Sequence, residues 1–222
     1  MGITILPETT KFPISLIGER AGVCWGGDIT DPDKNYRRGM DCILSGHGRT
    51  LEYVNIETII DGYSARVIRE WYTHIGGAPT RLQESTRYID YGNKFGFVIP
   101  PSIAGDVDAM FVYLKAMDDI AFAVKTIEGI GIPREDAAML LPLGMKTRVV
   151  DKRNLRNLVD MAHQRMCTRA YWEYRDLFAD IRGALMGYSD EWQKVVNMLL
   201  VSKCDYLRYC PEKHSCGRHE KA

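Results

Sequence analysis

The sequence has no surplus of either charge. Its 29 Lys and Arg residues balance its 29 Asp and Glu residues, so bulk charge gives no reason to expect a nucleic-acid partner. No run approaches the roughly 18 apolar residues of a membrane-crossing helix. The opening MGITILPETTKF lacks the basic stretch and apolar core of a secretory signal, and a cytoplasmic protein is expected. There is no G-x-G-x-x-G, no P-loop, no G-x-S-x-G and no H-E-x-x-H, so a site built on a standard fingerprint is not expected. Internal repeats and low-complexity runs are absent as well. What is present is ordinary globular composition, 45% hydrophobic and 26% charged. The 222 residues suit one domain, with or without a small appendage.

Cysteine is sparse but unevenly placed. Cys24, Cys42 and Cys167 are scattered and read as reduced thiols. Cys204, Cys210 and Cys216 fall close together, with His214 and His219 among them. Cys204, Cys210, His214 and Cys216 are zinc-type ligands. Their C-x5-C-x5-C spacing is not the paired C-x2-C pattern, and a reduced, basic, partly ordered tail stands ahead of zinc. Apolar periodicity ends near Ser202, dividing a main body, 1–202, from a tail, 203–222.

Alternation of Val54, Ile56, Thr58 and Ile60 predicts a half-buried strand over 51–60, with a turn at Asp61-Gly62. Ser64 is placed to cap a helix over 65–75, which Gly76-Gly77-Ala78-Pro79 stops. The stretch 81–91 reads as an extended loop and 95–99 as a short strand. Helical periodicity covers 105–129, 154–167, 170–186 and, briefly, 192–201. A short helix follows Pro133, and 145–150 reads as a strand. Strands and helices mix without a βαβ rhythm, so the fold class is α+β: a mixed sheet packed with long helices in a single domain.

Three constellations could carry chemistry. Residues 80–95 place Arg81, Gln83, Ser85, Thr86 and Arg87 within seven positions, just after Gly76-Gly77. Guanidinium forks and short donors at close range suit a phosphate. On composition alone, a solvated polar loop is the simpler reading. Asn154 and Arg165 are 11 residues apart, about three helical turns, so with Asp160 they form a polar stripe. A surface stripe of salt-bridged charges has the same pattern. His47 and Glu52 flank a glycine-rich turn, where a lone histidine is more often a capping residue than a catalytic one.

In this order the motifs resemble those of the flavin-dependent thymidylate synthases. They are His47…Glu52, Ser85-Thr86-Arg87-Tyr88, Leu141-Pro142-Leu143…Thr147-Arg148, Asn154-Leu155-Arg156, Arg165 and Ala170-Tyr171-Trp172-Glu173. The resemblance spans about residues 14 to 190, and its specificity lies in order and spacing. It implies synthesis of dTMP from dUMP, with methylenetetrahydrofolate as carbon donor and NADPH as reductant through FAD. It also implies a homotetramer whose sites draw on several subunits. By the same resemblance, Gln83, Ser85, Thr86 and Arg87 hold dUMP, and Arg165 faces the uracil ring as the catalytic group. His47, Arg49, Glu52, His74, Asn154, Arg156 and Asp160 frame FAD.

The sequence departs from the family pattern in several places. Thr73-His74-Ile75 stands where the family has Arg-His-Arg, and the loop to Ser85 is two residues longer. Ala138 replaces an arginine that contacts the dUMP phosphate from a neighbouring subunit. Asp160 stands where asparagine is usual. Arg81, inside the insertion, is expected to restore one lost charge on dUMP. The alternatives left open are a same-scaffold dUMP hydroxymethylase, a non-catalytic flavin- or nucleotide-binding protein, and a zinc module in the tail.

Overall fold

The computed structural model describes residues 1–92 and 95–222, so Asn93 and Lys94, within the polar segment 80–95, lie outside the described residues. The first strand is β1 (Gly2–Ile5), followed by helices α1 (Pro13–Cys24) and α2 (Pro32–Leu44). Pro13 opens α1, while the Asp31 carboxylate caps α2 by accepting from the Asp33 and Lys34 amides. The two helices cross at Gly18 and Gly39. A Cβ on Gly18 would lie 1.8 Å from the Asn35 carbonyl oxygen, and one on Gly39 would lie 1.9 Å from that of Ile14. Only glycine permits this approach.

A 3-10 turn (Gly48–Tyr53) leads into β2 (Asn55–Ser64) and α3 (Ala65–Tyr72). The expected strand therefore starts later, because local bonds such as Thr50 N–H to the His47 carbonyl wind residues 48–53 instead. It also runs through Asp61-Gly62 without turning. Gly62 takes φ +78° inside the strand, and Asp61 is held by Arg148 on the neighbouring strand at 2.5 Å. Ser64 caps α3 as expected, its hydroxyl accepting from the Val67 amide.

The next strand is β3 (Thr80–Gln83). Residues 80–83 are thus an edge strand rather than a loop, hidden in the sequence because none of its residues is buried. After it come α4 (Pro101–Ala104), α5 (Val107–Gly129) and α6 (Arg134–Ala137), with a 3-10 turn at Ala138–Leu140. The strand expected at 95–99 reduces to a single bridge from Phe97 to Met145.

β4 (Lys146–Asn154) is longer than expected and buries Thr147, Val149, Asp151 and Arg153 on alternate positions. The chain closes with α7 (Leu155–Arg165), α8 (Trp172–Met186), α9 (Asp190–Leu199) and α10 (Lys203–Leu207). Ser189 and Ser202 cap the last two.

The strands form one antiparallel sheet in the order β1-β2-β4-β3, so the fold is α+β as expected. The chain divides into two compact units: Met1 with Ile60–Tyr72 and Leu82–Val149, and Gly2–Ile59 with Thr73–Arg81 and Val150–Ala222. Both β2 and β4 run through the two. The first unit contains a cluster of Tyr91, Phe95, Met117 and Met145, against which Phe97, Tyr113 and Leu141 pack. The second buries Ile14, Ile17, Leu158, Tyr174, Phe178 and Trp192. None of the helices among the described residues is long and apolar enough to cross a membrane.

Candidate active site

The second unit gathers a cationic, half-buried cluster at the end of α7. Arg165 is the helix's last residue. Its Nε donates to His74 Nε2 at 3.2 Å, and its guanidinium lies over the Tyr174 ring, 4.9 Å from the centroid. Tyr174 is fully buried on α8 and stacks on Phe178, so the platform under Arg165 is rigid. Its ring also meets His74 edge-on at 6.2 Å. Burial pushes the His74 imidazole down to about 4, and the Arg165 and Arg153 charges push the same way. His74 is therefore neutral at pH 7, which lets its Nε2 accept from Arg165.

Behind this cluster, Asp151 and Arg153 sit two apart on β4, 1% and 2% exposed in their side chains. Two near-parallel contacts of 2.6 and 2.7 Å join them. A second arm of Arg153 donates to Asn157 Oδ1 at 2.6 Å. Asn154 accepts from the Asn157 amide at 2.9 Å and so caps α7, rather than projecting from its face as the stripe reading had it. The Gly76-Gly77 turn lies against this cap. Gly77 has φ +71°, and a Cβ there would fall 2.3 Å from Asn154 Nδ2.

Nearby in the same unit, Arg156 pairs with Glu52 at 2.6 Å. His47, Arg156 and Asp160 line a cavity of about 230 Å³. Arg49 is exposed within the 3-10 turn Gly48–Tyr53.

The loop expected to hold dUMP belongs to the first unit. Gln83 donates from Nε2 to Thr147 Oγ1 at 3.2 Å. The Ser85 hydroxyl accepts from the Arg87 amide at 3.2 Å, and Thr86 is half-buried between them. The Arg87 guanidinium meets Glu135 on α6 at 2.7 Å, with the two side chains 63% and 53% exposed. Arg134 donates to the Tyr88 carbonyl at 3.3 Å and approaches Asp90 and Glu128.

Each unit thus brings together a subset of the predicted residues: His74, Asn154 and Arg165 in one, Gln83, Ser85, Thr86 and Arg87 in the other. Arg81 falls in the unit that holds Arg165. The sequence reading missed Tyr174, the Asp151–Arg153–Asn157 network and Glu135. The signal for the network was available, since Asp-x-Arg at strand spacing puts opposite charges on one face.

A rigid guanidinium beside a neutral imidazole, on an α+β frame without a nucleotide fingerprint, has the chemistry to meet an anionic or electron-rich planar ligand. The family model described as "Thymidylate synthase complementing protein" matches residues 6–187. The flavin-dependent thymidylate synthase of Nitratidesulfovibrio vulgaris is 31% identical over 185 residues, covering 79% of this chain and 73% of that protein. That of Pyrococcus furiosus is 31% identical over 223 residues, covering 94% and 88%. The Helicobacter pylori flavin-dependent thymidylate synthase, solved with FAD and dUMP, shares the fold with a TM-score of 0.69 at 18% identity, covering 87% of this chain and 99% of that one. The chain belongs to the flavin-dependent thymidylate synthase family.

Proposed function

We propose that this protein makes dTMP from dUMP, with FAD as cofactor and methylenetetrahydrofolate and NADPH as co-substrates. The observation that carries this reading is Arg165, a guanidinium fixed by His74 and Tyr174 in a half-buried site. A pyrimidine ring activated at C5 gathers negative charge on its oxygens. A preorganised guanidinium stabilises that charge without reorganising.

FAD fits the residues present. The neutral His74 offers a ring face that a flavin ring can cover without desolvating an imidazolium. The bare backbone of Gly76-Gly77 lets the turn after His74 pack against Asn154 and Asn157. Arg156 and Arg49 supply cations for a diphosphate, with His47, Glu52, Asn154 and Asp160 completing the frame. Bound FAD supplies the relay of reducing equivalents from NADPH. The chain's own residues bind, orient and stabilise. Ser85, Thr86 and Arg87, with Gln83, would hold the dUMP phosphate. Arg81 would replace one of the lost signature charges, and an Arg81→Ala variant should then bind dUMP more weakly.

A homotetramer agrees with α5, where Val107, Phe111, Val112 and Phe122 are 66–86% exposed. Phe111 and Phe122 are three turns apart on one face, an arrangement suited to a second copy. We assign catalysis to residues 1–202 in the cytoplasm, where pyridine nucleotide is reduced.

The test is mass analysis of the product from dUMP, methylenetetrahydrofolate and NADPH with purified protein. Thymidylate is expected. A 5-hydroxymethyl product would make this a different enzyme on the same scaffold, and flavin-free, inactive protein would make it a binding protein.

A further inference from the structure

Four of the six cysteines face one cavity. Cys167, from the turn after α7, and Cys204, Cys210 and Cys216, from the tail, line a space of about 370 Å³, together with His163 and His214. All six cysteines of the chain are free thiols, and Cys24 is not among the lining residues. Cys204 and Cys210 are buried, and Cys167 is half-buried. His163 Nε2 is buried and has no hydrogen-bond partner among the described residues.

We propose that this cavity holds an iron–sulfur cluster ligated by Cys167, Cys204, Cys210 and Cys216.

Softness selects the class of metal, since four thiolates favour zinc or iron–sulfur over hard cations. Spacing selects between those two. Zinc–sulfur bonds of about 2.3 Å in a tetrahedron put the thiolates about 3.8 Å apart. Among the described residues, the one trio of ligand atoms within 4.8 Å of one another is Cys204, Asp205 and His219. That trio is unsuited to a cation, because the Asp205 carboxylate is already shared between the Arg218 guanidinium at 2.8 Å and Ser202 at 2.8 Å. No three of the four thiols lie that close among the described residues, yet all four residues line the one volume of about 370 Å³, which has room for an iron–sulfur cube.

Charge agrees. Four thiolates around a dipositive four-iron core leave two negative charges, and Arg169 and Lys203 line the same cavity.

The tail also needs such a centre. Beyond the five-residue α10 it has an isolated bridge at Cys210 and a few polar contacts, such as Arg169 to the His214 carbonyl at 2.7 Å. Metal ligation commonly supplies the stability that so short a segment cannot draw from a core. Bound there, the cluster would clamp the tail to the end of α7 from which Arg165 projects. That last consequence alone rests on the proposed function.

The test is iron and acid-labile sulfide analysis of the full chain purified without oxygen, with acid-released flavin measured on the same samples. About four irons and four sulfides per chain are expected. Cys210→Ser with Cys216→Ser should lose most of the iron, while Cys24→Ser keeps it. One zinc per chain without iron, or no metal at all, overturns the proposal. The wild-type metal content decides even if the double variant fails to fold. Iron without flavin would sink the thymidylate synthase reading and leave the cluster standing.

Discussion

Around Arg165, positive charge is held by packing, with a buried aromatic ring beneath the guanidinium and a neutral imidazole at its edge. Around Arg87, it is held by one exposed carboxylate. The first arrangement costs desolvation and gives a fixed direction. The second costs little and leaves the guanidinium free to change partners. A group that must stabilise charge forming on a ring benefits from rigidity. A group that captures a mobile phosphate can tolerate an exchangeable partner. The same sign of charge is thus built in two ways, which suit the two tasks that the proposed function gives them.

The strongest way to break the rigid half is from behind. Asp151→Ala removes the carboxylate that meets the buried Arg153 guanidinium through two contacts. Breaking such a pair costs about 3–5 kcal/mol. At roughly 2–4 °C per kcal/mol for a chain of this size, the melting temperature should fall by about 6–20 °C. A loss under a few degrees would mean that the network does not support the cluster.

Next in size is Arg165→Lys. Lysine keeps the charge but loses the planar fork and the stacking on Tyr174. If rigidity matters, single-turnover formation of dTMP should fall by about 10²–10³-fold, with the melting temperature little changed. A fall of less than tenfold would show that charge alone suffices there.

These two variants also mark what the sequence could convey. Ser85, Arg87, Asn154 and Arg165 could be singled out because the motif order of the family survives in the primary structure. The helices after Asp106 and Asn154 were legible because capping and periodicity are local. Tyr174 was not, because its role depends on α8 presenting it to a residue nine positions earlier through a turn. Glu135 was not, because it meets Arg87 across 48 residues. Strand β3 stayed hidden because an edge strand with no buried face carries no alternation. Helices α1 and α2 went unread, although Pro13 and Asp31-Pro32 carried start signals.

The third effect is pH dependence. His74 is held near 4 in the folded protein and returns to about 6.5 on unfolding. Between those values the unfolded chain binds the extra proton, so stability falls as pH is lowered from about 6.5 toward 4 and this contribution is level below that. A His74→Gln variant keeps an acceptor for Arg165 and removes the titration. The difference in melting temperature between wild type and variant should therefore change over that window in the variant's favour. A constant difference from pH 7 to 4 would place His74 in water, and the contrast between the packed and exposed halves would lose its main electrostatic support.

The smallest effect probes the exposed half. Glu135→Gln removes the partner of Arg87 without changing its shape. An exposed pair of this kind is worth about 0.2–1 kcal/mol, so folding should be unaffected. The released guanidinium no longer has to leave a carboxylate in order to meet a phosphate. Affinity for dUMP should rise by up to about fivefold at low salt, and the gain should shrink as salt screens the wild-type pair. Loss of affinity instead would mean that Glu135 orients Arg87 for the phosphate. Both halves would then be preorganised, one by burial and the other by an ion pair.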